Sequence, residues 1–289
     1  MDLDIICEKH SLAPDEKAEL SEYIKNRFAD TEEQAPKPFE QLAVWKKLAA
    51  LASLTGAAEV INQKVSRRLP IAFNDPSGVR LEIFDSPAGE IPIIYAGNSG
   101  DFEALVTNIV HKGVRPENIG KTGASFVSGE STRFIILSSK PYSNIPAHEL
   151  GLDEGDWVQK SMLIRRSHEC VHYFTKQVYG LSGNNLHDEL MADFIGLYDT
   201  FGFYKAEWFL RFMGVIQGSG DRLTVYTGEL SPKVTAAVKD LTALAAHGLE
   251  KWSLSGGFKS LSTAERIKEM VHMGMTGMAD RSDTEGVSI

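Results

Sequence analysis

The residues with the most definite chemistry are two histidines four positions apart, His168 and His172, with Glu169 directly after the first. Side chains four residues apart share one face of a helix and lie about 6 Å apart along its axis, so both imidazoles can reach one metal ion. Glu169 lies one position further round the helix, where a carboxylate can take a proton from a water bound to that ion. The spacing predicts a metal site with Glu169 as its general base.

A third ligand is expected on the next predicted helix, where Glu189 and Asp193 are again four residues apart. The connection after His172 contains glycines, which lets the two helices run antiparallel and brings Glu189 to face the histidine pair. Catalytic zinc sites use three nitrogen, sulfur or oxygen ligands and leave one position for water. We therefore predict Zn²⁺ held by His168, His172 and Glu189, with Asp193 accepting a hydrogen bond from a liganding imidazole.

These two segments, HECVH followed by ELMAD, resemble the gluzincin branch of zinc metallopeptidases, whose pattern is HExxH and then Glu-x-x-x-Asp on a following helix. The resemblance covers about residues 160–200. It implies a zincin-like fold and hydrolysis of peptide bonds in a peptide or protein substrate. It also implies that His168, His172 and Glu189 bind zinc, that Glu169 is the general base and that Asp193 supports a ligand. The spacer between His172 and Glu189, sixteen residues, is shorter than in the best-known gluzincins, and no residue that stabilises the oxyanion can be identified.

The elements that must position these residues follow from hydrophobic periodicity and from capping residues. Helices are predicted at 14–28, 40–68 with a break at Gly56, 101–112, 157–179 and 185–200, the last with Asn185 as its N-cap, and strands at 79–84, 91–95 and 133–137. The predicted fold class is α+β. Residues 70–289 form a zincin-like domain, in which a small twisted sheet precedes two metal-bearing helices and a helical C-terminal lobe. Residues 1–69 form an N-terminal helical extension.

Composition narrows the classes of function. The net charge of −9 argues against a general nucleic-acid or anionic-membrane surface. The cysteines, Cys7 and Cys170, make no disulfide framework, which favours a reduced, cytoplasmic protein. No apolar run approaches the roughly 20 residues that span a bilayer, and the first residues lack the basic and apolar regions of a secretory signal.

Two other hypotheses remain beside the peptidase. A non-catalytic zincin-like binding or regulatory module predicts a site closed by a protein side chain. A purely structural zinc site predicts unfolding on chelation. Within the peptidase hypothesis, residues 133–137 are the expected edge strand for an extended substrate. His187, next to the predicted ligand Glu189, is expected at the surface.

Overall fold

The computed structural model describes residues 3–66, 70–129, 132–182, 185–216 and 221–282. The chain is α+β, with a four-stranded sheet preceded and followed by helices. It divides into two compact units. The first, here the helical unit, is formed by Met1–Gln34 with Val178–Ile289, and the second, here the sheet unit, by Ala35–Gln177. The sequence predicts a boundary after residue 69, between an N-terminal helical extension and a zincin-like domain. That boundary stays a prediction.

The sheet unit is organised around strands in the order β1-β2-β4-β3. Their bounds are β1 Arg80–Ser86, β2 Gly89–Tyr95, β3 Ala124–Ser128 and β4 Arg133–Leu137. β1 and β2 form an antiparallel hairpin, β2 and β4 run parallel, and β4 and β3 are antiparallel. The three predicted strands are confirmed near their predicted positions. β3 was missed, because its five residues include two serines and only three apolar side chains.

The prediction that residues 133–137 form an edge strand is wrong. β4 is bonded to β2 on one side and to β3 on the other, and all five of its residues are buried. A continuous apolar run is typical of an inner strand, which is covered on both faces. Within the described sheet, β1 and β3 are the edge strands.

Helices from the N-terminal part of the sheet unit pack against this sheet. They are α3 Leu42–Thr55, α4 Ala57–Val60 and α5 Ser99–Leu105. Trp45 of α3 lies in one hydrophobic cluster with β4, and its ring centroid is 5.4 Å from that of Phe134. Gly56 has φ +95° and separates α3 from α4, as predicted, because this backbone conformation is readily available only to glycine.

The long helix α6, Glu154–Tyr179, carries the HExxH residues in its second half. Two acidic residues, Glu154 and Asp156, lie in the first turn, where they complement the positive end of the helix dipole. The helix ends before Gly180, which has φ +72°. The prediction of a helix at 157–179 is confirmed, with a start three residues earlier.

The described part of the helical unit contains α1 Leu3–Lys9, α2 Pro14–Tyr23, α7 Leu186–Phe201, α8 Ala206–Met213, α9 Arg222–Thr227, α10 Pro232–Ser253, α11 Gly256–Ser260 and α12 Thr263–Ala279. α10 packs closely on α12: a Cβ added to Gly248 would lie 1.9 Å from the carbonyl oxygen of Met278. Asn185 caps α7 by accepting a hydrogen bond from the amide of Asp188, as the sequence predicted. Among the described helices, none combines the length and the apolar character needed to cross a membrane.

Candidate metal centre

The two motif histidines face each other on one side of α6. The Nε2 atoms of His168 and His172 are 3.0 Å apart, and the ring centroids are 4.7 Å apart. Two nitrogens bound tetrahedrally at about 2.0–2.1 Å from one zinc ion lie roughly 3.3 Å from each other. The imidazoles are therefore close to the separation that a shared metal ion requires. His168 is buried and His172 is half-buried.

The other ring nitrogen of His168 has a partner that the sequence did not predict. The hydroxyl group of Tyr142 lies 2.9 Å from Nδ1 of His168, and both side chains are buried. A metal-binding histidine commonly uses its second ring nitrogen in this way, which fixes its tautomer and its orientation. Tyr142 is 26 positions before His168, and no local pattern connects the two residues.

On α7, Glu189 and Asp193 lie one helical turn apart and are both buried, with 5% and 0% of their surface exposed. One guanidinium group binds both carboxylates: Arg222 donates to Oε2 of Glu189 and, at 2.8 Å, to Oδ2 of Asp193. Sequence analysis did not predict Arg222, which begins α9. Arg222 therefore pairs with both buried carboxylates at once.

Tyr226, on the same short helix as Arg222, extends this charged group. Its hydroxyl is hydrogen-bonded to Arg222 and Glu189. Burial raises the pKa of Tyr226, and the guanidinium of Arg222 opposes part of that rise. The phenol is therefore neutral at physiological pH and can donate a hydrogen bond.

The remaining motif residues differ in exposure. Glu169 is half-buried, so part of its side chain is open to solvent. Cys170 is buried, with 2% of its surface exposed. His187 is not at the surface, and that prediction is wrong. Its ring lies 3.0 Å from the carbonyl oxygen of Met270 and edge-on to Phe28, and burial lowers its pKa.

His168, His172 and Glu189 together have the composition of a metal site. Each of the three can offer one ligand atom to a metal ion, and the described residues contain no second group of this kind. Two neutral nitrogens and one carboxylate oxygen are donors that zinc accepts. The donor set fits the predicted metal, and the roles of these residues, of Glu169 and of Asp193 stay predictions.

Comparison with known proteins gives one result. A family model described as "Family of unknown function (DUF7005)" matches residues 61–132 and 130–283. These two segments together cover well over half of the 289 residues. No curated protein and no solved structure matches this chain.

Proposed function

The chain belongs to the family of unknown function DUF7005, and we propose that it is a zinc-dependent peptidase with Glu169 as general base. The observation that carries the proposal is the convergence of the Nε2 atoms of His168 and His172, 3.0 Å apart, with Glu169 next to the first histidine. Two buried or half-buried imidazoles that point at each other are well arranged to share a cation.

The burial of Glu189 also supports the proposal. Glu189 and Asp193 are withdrawn from water, and Arg222 binds both carboxylates. Buried carboxylates are stable when they are paired or bound to metal. In this proposal Glu189 is the third ligand and Asp193 supports the site through its hydrogen bonds.

The proposed reaction is the attack of water on a peptide carbonyl. A zinc ion held by His168, His172 and Glu189 would polarise that carbonyl and lower the pKa of the attacking water. Glu169 takes the proton from the water and then passes it to the leaving amine, which a half-buried carboxylate beside the histidine pair is able to do. The chain's own contribution is thus to orient two imidazoles and to hold one base beside them.

The proposal includes a zincin-like arrangement in which the edge strand β3 receives the substrate. β3 is bonded to β4 on one side, and its Phe126 ring lies 5.9 Å from that of Tyr173, the residue after His172. An extended peptide that paired with the other side of β3 would lie beside the motif helix. This replaces β4, whose two sides are already bonded.

The experiment compares Glu169→Gln with Glu154→Gln, a matched control on the same helix whose side chain is 64% exposed. Wild type is expected to bind one zinc ion and to cleave members of a mixed peptide library in a chelator-sensitive way. Loss of a general base lowers turnover by about 10²–10⁴-fold. We expect this loss in Glu169→Gln with zinc content unchanged, and no loss in the control. Equal cleavage by the two variants, or wild-type protein without bound zinc, contradicts the proposal.

One observation favours the alternative, a non-catalytic zincin-like binding or regulatory module. Arg222 already occupies an oxygen of Glu189, and a site closed by a protein side chain is what that hypothesis predicts. Zinc binding without cleavage of any library peptide supports the module. Unfolding of the protein on chelation supports the third hypothesis, a structural zinc site.

A further inference from the structure

The turn at residues 138–145, here the Tyr142 turn, has an unusual backbone. Ser143 has φ +50° and Asn144 has φ +57°, so two successive residues that are not glycine adopt the left-handed conformation. This conformation is uncommon for residues other than glycine, although asparagine adopts it more readily than most. Backbone of this kind persists where surrounding contacts hold it, and it is concentrated at functional sites.

The contacts that hold the Tyr142 turn come from one stripe of α6. Its members follow at spacings of four, four and three residues, which places them on one face of the helix: Trp157, Ser161, Arg165 and His168. The first three of these side chains bind the backbone of the turn, and His168 contacts the side chain of Tyr142. The stripe ends at the first histidine of the motif.

Each contact is specific in its geometry. The indole of Trp157 donates to the carbonyl of Ile145 at 2.7 Å, and the hydroxyl of Ser161 accepts from the amide of Tyr142 at 2.9 Å. The guanidinium of Arg165 is the centre of the arrangement. It donates to three carbonyls of the turn, at 3.2, 2.5 and 2.8 Å, and lies 5.4 Å from the centroid of the Tyr142 ring. These carbonyls belong to Ser138, Lys140 and Pro141.

We propose that Tyr142 is a positioning residue that fixes His168 in the tautomer with hydrogen on Nδ1, and that the stripe of α6 serves to hold its hydroxyl at that atom. In this tautomer Nδ1–H donates to the tyrosine oxygen, and the lone pair of Nε2 points toward His172. Only a nitrogen with a free lone pair can bind a metal ion. The inference rests on the proposed metal site and adds a residue that the sequence motif lacks.

The second histidine must then behave differently from the first. If the proposed tautomer leaves Nε2 of His168 as an acceptor, then Nε2 of His172, 3.0 Å away, must carry the hydrogen of a bond between them until a metal binds. When a metal binds, His172 has to lose that hydrogen, whereas His168 is already in the binding form. The proposal therefore predicts that metal binding changes the tautomer of one histidine of the pair and leaves the other unchanged.

The experiment measures histidine tautomers in the ¹⁵N-labelled full chain by NMR, without metal and with zinc. His168 signals are assigned by their loss in His168→Gln. We expect His168 with hydrogen on Nδ1 in both states and His172 with a change from Nε2–H to Nδ1–H. Wild-type His168 with hydrogen on Nε2 in the metal-free protein overturns the proposal. This measurement stands even if the protein cleaves no peptide or binds no zinc, so it separates the inference from the proposed function.

The matched variants are Tyr142→Phe and Tyr95→Phe. Each loses one buried phenolic hydroxyl in the sheet unit, and that of Tyr95 donates to Glu82 at 2.7 Å instead of contacting a histidine of the motif. Loss of a partner that orients a metal ligand weakens binding by about 10–100-fold. We expect this weakening in Tyr142→Phe, with a mixture of His168 tautomers, and zinc affinity within about twofold of wild type in Tyr95→Phe. Equal affinities in the two variants overturn the proposal.

A second variant, Ser161→Ala, tests the stripe with the tyrosine still present. It removes the acceptor of the Tyr142 amide and leaves the phenol in place. We expect zinc affinity between those of wild type and Tyr142→Phe, together with partial loss of the single His168 tautomer. If Tyr142→Phe fails to fold, this variant decides the question, and a wild-type tautomer and affinity in Ser161→Ala then contradict the proposal.

Discussion

The two helices that carry the predicted ligands prepare them in different ways. On α6, the imidazole of His168 is held by an uncharged partner, the hydroxyl of Tyr142. On α7, Glu189 and Asp193 are charged groups held by an opposite charge, that of Arg222. An imidazole must present the correct nitrogen, so it needs orientation, whereas a buried carboxylate needs compensation of its charge. The comparison predicts that zinc binding by the α6 histidines depends on the geometry around them. It also predicts that the stability of the α7 carboxylates depends on the charge that compensates them.

The largest expected effect comes from removing the compensating charge. Arg222→Met leaves two buried carboxylates together without their cation, and breaking such a buried pair costs about 3–5 kcal/mol of the free energy of unfolding. Denaturant unfolding measures this loss. Added zinc should recover part of it, because the metal supplies positive charge at Glu189.

The control for that variant is Arg115→Met. Arg115 pairs with Glu103, but its side chain is 60% exposed, so the loss should stay below about 1 kcal/mol. If the two variants lose the same free energy of unfolding, the pairing of Arg222 with the α7 carboxylates stabilises the protein no more than an exposed ion pair does. If zinc does not stabilise Arg222→Met, Glu189 is not a ligand.

Removal of a donor on α6 should affect metal binding more than removal of an orienting group. His172→Ala deletes one of the two converging nitrogens, so zinc affinity should fall by more than the roughly 100-fold upper range for an orienting residue. Competition with a chelator of known affinity measures the change. His148→Ala, whose side chain is 75% exposed, should bind zinc as wild type does. Similar zinc affinities for His172→Ala and Tyr142→Phe would contradict the prediction that a metal ligand contributes more to zinc binding than a residue that orients a ligand.

The smallest effect is expected at an exposed ion pair away from both helices' ligands. Lys268 hydrogen-bonds Glu33 and thereby holds the pKa of that carboxyl below its usual value. A lowered pKa in the folded state gives stability above the ordinary carboxyl range, and this stability is lost as the pH falls through the folded-state value. Both side chains are more than a third exposed, so solvent screens the pair.

Lys268→Met should therefore lower the free energy of unfolding by no more than about 0.5 kcal/mol at pH 7. The difference from wild type should shrink as the pH falls through the lowered folded-state pKa of Glu33, and it should disappear at a pH well below the ordinary carboxyl range, where Glu33 is protonated in both states. Unfolding curves at the two pH values test this. A loss at pH 7 as large as that in Arg222→Met would mean that burial does not set the strength of these ion pairs.

Local patterns predicted much of the fold that carries the site. The helix at 157–179, the break at Gly56 and the cap at Asn185 depend on residues within one or two turns of each other, and all three are confirmed. Strand β4 was predicted at its observed bounds, but its place inside the sheet was not. Pairing depends on β2 and β3, which the sequence of β4 itself does not specify.

At the candidate site, too, contacts between residues far apart in the sequence were not predicted. His187 is a polar residue in the first turn of a helix, and for that reason it was expected at the surface. Its contacts with the ring of Phe28 and the carbonyl of Met270 bury it instead. Arg222 is 33 positions after Glu189 and stands in no motif with it. Its pairing with the two carboxylates follows only from the tertiary structure, in which the guanidinium contacts both of them.

The sequence by itself determined which side chains can act together along one helix: His168 with His172, and Glu189 with Asp193. A helix has a fixed period, so a spacing of four residues is sufficient to place two groups on one face. Only the tertiary structure decided which groups orient and neutralise them, namely Tyr142 and Arg222. Hydrogen bonds and ion pairs act over a few ångströms of space, and the folding of intervening residues, not their number, brings such partners within that range.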